Sequence, residues 1–251
     1  MAERLILLSN DDGIKAEGLV ALEGSVAPLG DVYVVAPDRE KSAAGHSVTL
    51  HHPLRVEELD ERHYAVDGTP TDSVILGVRE LLPRRPDIVI SGINRGPNMG
   101  DDVTYSGTVA AALEGTLLGI PSFAISVAEY DNIRYDGAAC FAARLANLIF
   151  ENGLPSDTML NVNVPNLPEE SIKGVAVTRQ GKRVYKDEII AKSDPRGRTY
   201  YWIGGADSGW KPESETDFAA FEEDKISITP LHLDLTKHPF LDELRGWDFK
   251  V

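Results

Sequence analysis

Four consecutive residues, Asn10-Asp11-Asp12-Gly13, carry the strongest chemical signal in this chain. They stand where the apolar run Leu5-Ile6-Leu7-Leu8 stops and the backbone must turn. Side chains alternate faces along a strand, so adjacent carboxylates converge on one point only where the strand has ended. Gly13 permits that turn. Two ionised carboxylates held together repel each other unless a cation lies between them, and oxygen pairs suit hard divalent ions. Asn, Asp and Gly are also ordinary turn residues, so the tetrapeptide alone reads equally as a turn without a metal.

Three further polar segments fall where the carboxyl edge of a parallel sheet belongs, the place where open α/β folds bind ligands. They are Asp38 to Ser47, containing Ser42 and His46; Gly92 to Gly100, containing Asn94, Arg95 and Asn98; and Thr104 to Ala110, which leads into a helix. Asp11 and Asp12 offer carboxylates, Ser42 a hydroxyl and Asn94 an amide oxygen, an all-oxygen set that suits Mg²⁺ or Mn²⁺ rather than zinc. Ser106-Gly107-Thr108 places backbone amides and hydroxyls at a helix start, which cradles a phosphate or simply caps the helix. His46 is open between a catalytic base and a surface histidine. His51 and His52, adjacent on an extended segment, point to opposite faces and make a poor shared metal site.

The elements that must position these groups alternate. Leu5–Ser9, Val32–Ala36, Asp87–Ser91, Ser122–Ser126 and Met159–Val164 read as strands, and Gly18–Ala27, Gly107–Leu118 and Gly137–Phe150 as helices. That alternation is the pattern of a doubly wound, mostly parallel sheet. Thr69 and Pro70 open another helix, as N-cap and first helical residue, reaching about Leu82. Extended segments near Leu50–Val56 and His63–Val66 suggest an antiparallel excursion. Beyond Pro165 the pattern changes: Val175–Thr178 and Thr199–Ile203 read as the two arms of a long β-hairpin around the polar stretch Lys182–Arg198. Ile226–Pro230 and a short helix near Phe240–Leu244 close the chain. The organisation expected is one domain over 1–251, with a catalytic core at 1–165 and a hairpin and oligomerisation region at 166–251.

Composition narrows the function classes. At 251 residues the chain can bury a substantial core, and 42% apolar with 26% charged residues is ordinary for a globular protein. Lys and Arg total 25 against 40 Asp and Glu, a net charge of −15, which opposes binding to a nucleic-acid duplex or an anionic membrane. A small phosphorylated substrate remains compatible if a metal, backbone amides and local cations such as Arg39, Lys41 and Arg95 meet its charge. No apolar stretch spans a bilayer and no secretory pattern leads the chain, so a cytoplasmic protein is expected. The single cysteine, Cys140, excludes an internal disulfide and a cysteine-cluster zinc site, and its Ala-rich setting predicts burial.

These motifs together resemble the survival protein E (SurE) family of metal-dependent nucleotidases. The resemblance rests on Ser9 to Gly13, Ala36 to Arg39 with Ser42, Gly68 to Asp72, Ser91 to Asn98, Tyr105 to Ala111 and Ile226 to Leu231. It implies a Rossmann-like sheet with a carboxyl-terminal hairpin exchanged between subunits in a homodimer or homotetramer. It implies one divalent ion per subunit held by Asp11, Asp12, Ser42 and Asn94, with Asp11, Asp12 and Asn94 as the catalytic residues. The implied reaction releases phosphate from nucleoside monophosphates, at the 5′ and also the 3′ position, with short polyphosphate as a further substrate left open. The phosphate is expected on Gly13, Asn98, Ser106, Gly107 and Thr108, with a Cβ at residue 107 blocking the anion but sparing the metal. Two rivals stand beside this reading. Haloacid-dehalogenase-type phosphatases use an aspartate nucleophile, but their two aspartates are separated by one residue whereas Asp11 and Asp12 are adjacent. A nucleotide sensor without turnover shares the fold, yet neither Gly-x-Gly-x-x-Gly nor a P-loop follows the first strand.

Overall fold

The computed structural model describes residues 4–184, 188–204 and 209–249. Its first strand, β1 (Leu5–Ser9), is buried along its whole length. Alternate side chains enter opposite layers, as the two-residue period requires. Ile6 and Leu8 pack with Leu19, Leu22 and Val26 of α1 (Glu17–Val26) and with Ala142 and Leu145 of α4 (Tyr135–Asn152). Leu7 packs on the other face, with Val74 of α2 (Pro70–Leu76) and Ala111 of α3 (Gly107–Leu117). A strand apolar on both faces is the mark of a sheet covered on both sides.

The remaining strands are β2 (Asp31–Pro37), β3 (Val56–Asp60), β4 (His63–Val66), β5 (Ile88–Arg95), β6 (Ser122–Val127), β7 (Thr158–Val164), β8 (Val175–Val177), β9 (Glu188–Ser193), β10 (Thr199–Gly204) and β11 (Ile226–His232). Among the described residues, eight of them join β1 in one nine-stranded sheet of order β3-β4-β2-β1-β5-β6-β7-β11-β8. The pairs from β4 to β7 are all parallel, while β3 and β11 join antiparallel. The chain leaves β1 for β2 on one side and returns to β5 on the other, so the topological switch point lies between β1 and β5. Ligand sites of open α/β sheets form outside the strand ends at that point, and Asp11, Asp12 and Asn94 stand there.

Local sequence explains most boundaries. Thr69 and Asp72 form a reciprocal capping box, with Pro70 at the first position of α2. The helix continues to Leu81 as one wider turn. Of the two extended segments expected after β2, the second is β4, but the first strand begins only at Val56; Leu50–Arg55 lies outside the sheet. Thr49 there is tied instead to the Asp72 carboxylate, through its backbone N–H (2.9 Å) and its hydroxyl (2.6 Å).

The largest departure from expectation concerns the carboxyl-terminal hairpin. Val175–Val177 is not one of its arms: as β8 it lies parallel to β11 at the edge of the main sheet. The partner of β10 is β9, in an antiparallel pair from Thr199↔Ser193 to Gly204↔Glu188. The loop Asp194–Arg198 turns at Gly197, whose φ of +79° suits glycine, and closing so short a loop costs less entropy than joining strands twenty residues apart. Residues 185–187, within the polar stretch, lie outside the described residues. Because β8, β11 and α5 (Asp217–Glu222) pack with the main sheet, a core ending at residue 165 is too short. The final helix, α6 (Leu241–Arg245), follows a single 3₁₀ turn. Cys140 is half-buried on α4 rather than fully enclosed.

Candidate active site

The turn after β1 is built by its own residues. Asn10 donates its side-chain amide to the Gly13 carbonyl (3.0 Å) and accepts from the Gly13 N–H (3.2 Å). Gly13 adopts φ +99°, and a Cβ there would meet the Arg39 backbone at 3.0 Å, so only glycine fits the crossing of these two loops. The Lys41 N–H closes the arrangement on the Asp11 carbonyl (2.7 Å).

Asp11 is turned inward and only 5% exposed. Its carboxylate accepts the Thr108 hydroxyl and lies against the first turn of α3: a Cβ on Gly107 would stand 2.7 Å from Asp11 Cβ and 2.9 Å from its Oδ2. Burial pushes the Asp11 carboxyl up to about 6, the Thr108 hydroxyl offsets part of that rise, and the charge of Asp12 adds to it. The positive end of the helix is therefore already answering a carboxylate. Asp12 is less buried and accepts the Arg95 N–H (3.2 Å); burial, with the charge of Glu40 behind it, raises its pKa as well.

Asn94 owes its direction to a bulge. Between β5 and β6 the register steps from Ser91↔Ala124 to Asn94↔Ser126, so β5 holds one extra residue. Bulges of this kind re-aim the side chain that follows. A Cβ at Gly92 would strike the Ile125 carbonyl at 2.3 Å, and one at Gly18 would strike the Ile93 carbonyl at 2.1 Å. Two glycines thus let β6 and α1 close on the bulge. Asn94 Nδ2 donates to the Gly96 carbonyl (2.8 Å), which leaves Oδ1 as the end of the amide available to a ligand.

Asp11, Ser42, Asn94, Asn98 and Ser106 line one cavity of about 260 Å³, and Asp12 lines the adjoining one of about 570 Å³; Arg95 and Tyr130 border both. Ser42 is exposed and donates its hydroxyl to Glu40 (2.7 Å), an arrangement that keeps its oxygen lone pairs free to accept. Two carboxylates, an amide oxygen and a hydroxyl form a donor set that fits a hard divalent cation, and no third His, Cys, Asp or Glu joins them among the described residues.

Of the residues expected to hold phosphate, Asn98 and Ser106 face this cavity, whereas Gly13, Gly107 and Thr108 do not line it. Gly107 and Thr108 contact Asp11 instead, so a Cβ at residue 107 would press on one of the expected metal donors. His46 does not line the cavity either; its Nε2 pairs with Glu114 of α3 at 2.9 Å.

Several residues important to the site gave no motif in the sequence. Asn161 and Asn163 of β7 donate to the Asn98 carbonyl (2.8 and 3.0 Å), and Asn163 Oδ1 accepts the Asn98 N–H (2.8 Å). Their signal is two asparagines at period two inside an otherwise apolar strand. Asp217, buried at the start of α5, accepts the N–H groups of Gly100 (2.7 Å) and Gly181 (2.8 Å) and so ties the loop after β5 to the approach of the hairpin. Arg183, paired with Asp102, and Tyr130 border the cavity from later in the chain than the expected donors.

Fold and site together define a Rossmann-like α/β protein with an oxygen-rich, acidic site at its switch point. The sequence model of the family described as Survival protein SurE matches residues 6–187, and the chain belongs to that family. It is 55% identical over 244 residues to a 5′-nucleotidase SurE of Geotalea uraniireducens, covering 97% of this chain and 98% of that protein. It is 56% identical over 247 residues to a 5′-nucleotidase SurE of Geobacter sulfurreducens, covering 98% and 94%. The crystal structure of the SurE protein from Aquifex aeolicus superposes with a TM-score of 0.87 at 47% identity, covering 96% of this chain and 98% of that one.

Proposed function

We propose that this chain is a metal-dependent phosphomonoesterase that hydrolyses nucleoside 5′-monophosphates, and also 3′-monophosphates, to nucleoside and phosphate. The observation that carries the reading is the convergence of buried Asp11, the re-aimed Asn94 and the polar wall of Asn98 and Ser106 on one cavity at the switch point. The relatives named 5′-nucleotidase support the substrate class.

Asp11, Asp12, Ser42 and Asn94 would hold one divalent ion, Mg²⁺ or Mn²⁺. When bound, that ion supplies Lewis acidity toward a phosphoryl oxygen and acidifies a nearby water. The chain does the rest. Thr108 and the α3 start hold Asp11 in place, and the Arg95 N–H orients Asp12. Asn98, with its backbone clamped by β7 and its Nδ2 donating to Ser126 (2.9 Å), and Ser106, whose oxygen caps the Val109 N–H (3.1 Å), present fixed dipoles toward a phosphate. The buried carboxyls supply a proton acceptor for the attacking water. Neither aspartate is assigned as a nucleophile, so chemical quench during turnover is expected to trap no phosphoenzyme.

Phosphate release from AMP, measured with Mn²⁺, with Mg²⁺ and with excess chelator, tests the reading; no release with either metal overturns it. A homo-oligomer joined through the hairpin is also part of the proposal, supported by apolar side chains exposed on both faces of β10, where Ile203 is 84%, Tyr201 66% and Trp202 61% exposed. A cytoplasmic location is proposed on the single cysteine, which suits a reducing compartment.

A further inference from the structure

His46 fills neither of the roles open to it in the sequence. It lines neither cavity of the site, so it stands off the reacting atoms. Nor is it a free surface histidine: its Nε2 meets the Glu114 carboxylate at 2.9 Å, with the His46 side chain 30% and the Glu114 side chain 11% exposed. A largely buried ion pair is weak evidence for stability and is better explained by what it holds in register.

What it holds is the segment that carries Ser42. Residues 38–55, between β2 and β3, form neither strand nor helix, and an ordered loop of that length is usually functional. Its anchors are few. The Lys41 N–H donates to the Asp11 carbonyl, the Gly45 N–H to the Tyr105 carbonyl (3.1 Å), and the Ser47 carbonyl accepts the Thr69 hydroxyl (2.7 Å). Ser42 lies in the exposed turn between the first two anchors, where the Ala44 N–H returns to the Lys41 carbonyl (3.2 Å) and Ala43 takes a φ of +57°. His46 adds a side-chain tie directly after Gly45. The receiving helix, α3, also fixes a second expected donor. Glu114 is seven residues beyond Gly107, two turns further along the same side of the helix. The first turn of α3 abuts Asp11 at Gly107, and the third receives His46. One rigid element thereby sets the spacing between the carboxylate on the β1 turn and the hydroxyl on the loop.

We propose that His46 is a positioning residue: latched to Glu114, it holds the loop on α3 and so presents the Ser42 hydroxyl to the divalent ion, taking no part in proton transfer. The proposal rests on the metal-dependent phosphomonoesterase reading given above.

Calorimetric titration of the full chain with Mn²⁺, alongside phosphate release from AMP, tests it. His46→Ala should weaken Mn²⁺ binding about tenfold, the lower end of what groups behind metal ligands contribute, and its kcat should return toward the wild-type value once Mn²⁺ is saturating. His46→Gln, whose side-chain amide can still donate to Glu114, should keep most of the affinity. Because His46 acts through Ser42, its loss should cost nothing further in a Ser42→Ala background. Should His46→Ala fail to fold with Glu114 left unpaired, His46→Leu combined with Glu114→Leu replaces the whole pair by apolar groups and is expected to fold with a similar deficit in Mn²⁺ affinity. Variants at His46 with wild-type affinity, or losses at His46 and Ser42 that add, overturn the latch. Unchanged affinity with a kcat that excess Mn²⁺ fails to restore makes His46 a base instead. A wild type that binds Mn²⁺ but releases no phosphate sinks the phosphomonoesterase reading alone, and the titrations then still decide the latch; a wild type that binds no Mn²⁺ overturns both.

Discussion

At the residue scale, the buried Asp11 carboxylate carries a cost that the Thr108 hydroxyl offsets in part and that a bound cation would relieve further. Its carboxyl is raised from 3.8 to about 6 in the fold, so folding takes up a proton as pH passes through that window. For a raised acid the sign is fixed: the metal-free protein is more stable below pH 4 with respect to this group, and loses that advantage as pH rises to about 6. The shift corresponds to roughly 3 kcal/mol. Asp11→Asn keeps the shape and removes the charge, so in chelator at pH 7 the variant should be more stable than the wild type by about 2 kcal/mol, with the gap closing toward pH 4. Denaturant unfolding at the two pH values checks this, and the same variant should lose Mn²⁺ binding and phosphate release. Gly107 gives a second test. Because a Cβ there meets Asp11 rather than a substrate, Gly107→Ala should weaken Mn²⁺ binding in a titration as well as slow turnover; unchanged metal affinity with impaired turnover would show that residue 107 faces the anion after all.

At the scale of elements, the site depends on ties between segments far apart in the chain. Asp217 is the clearest, holding the N–H of Gly100 from the loop after β5 and the N–H of Gly181 ahead of the hairpin while starting α5. Asp217→Ala would strand two buried amides at once, and a loss of about 3 kcal/mol is expected in denaturant unfolding. A destabilisation below about 0.5 kcal/mol would mean that these amides find other partners. The capping box of Thr69 and Asp72 is the more local counterpart, a device legible in four residues and worth about 1 kcal/mol.

At the scale of the whole molecule, a two-stranded hairpin with exposed apolar side chains is marginal on its own in water and needs a covering surface. Replacing residues 188–204 with a short Gly-Ser bridge removes β9 and β10 but keeps Gly181, Arg183 and Trp210. The shortened chain should sediment as a smaller species than the intact one and unfold at a lower temperature, while retaining Mn²⁺ binding through Asp11 and Asn94. The same oligomer from both chains would rule the hairpin out as the principal contact.

The amino-acid order alone determined the parts of this protein that are written locally. The first strand, the turn at Asn10 to Gly13, the N-cap at Thr69 and the helix starting at Gly107 each depend on residues a few positions apart, and period-two and helical patterns report such short-range constraints directly. Asp11 and Asp12 were legible for the same reason, as polar residues just past the end of β1, whereas Asn94 lies inside β5 and owes its direction to the bulge there. Tertiary structure alone decided which strands pair when two candidates compete, so that β9 took the place expected of Val175–Thr178, and that the α3 start at Gly107 packs against Asp11. It alone placed Asn161, Asn163 and Asp217 behind the site. Those contacts join residues more than sixty, and in the case of Asp217 and Gly100 over a hundred, positions apart. Nothing in a local pattern reports them, because the energy that selects them exists only once the sheet has closed and its buried polar groups must find partners.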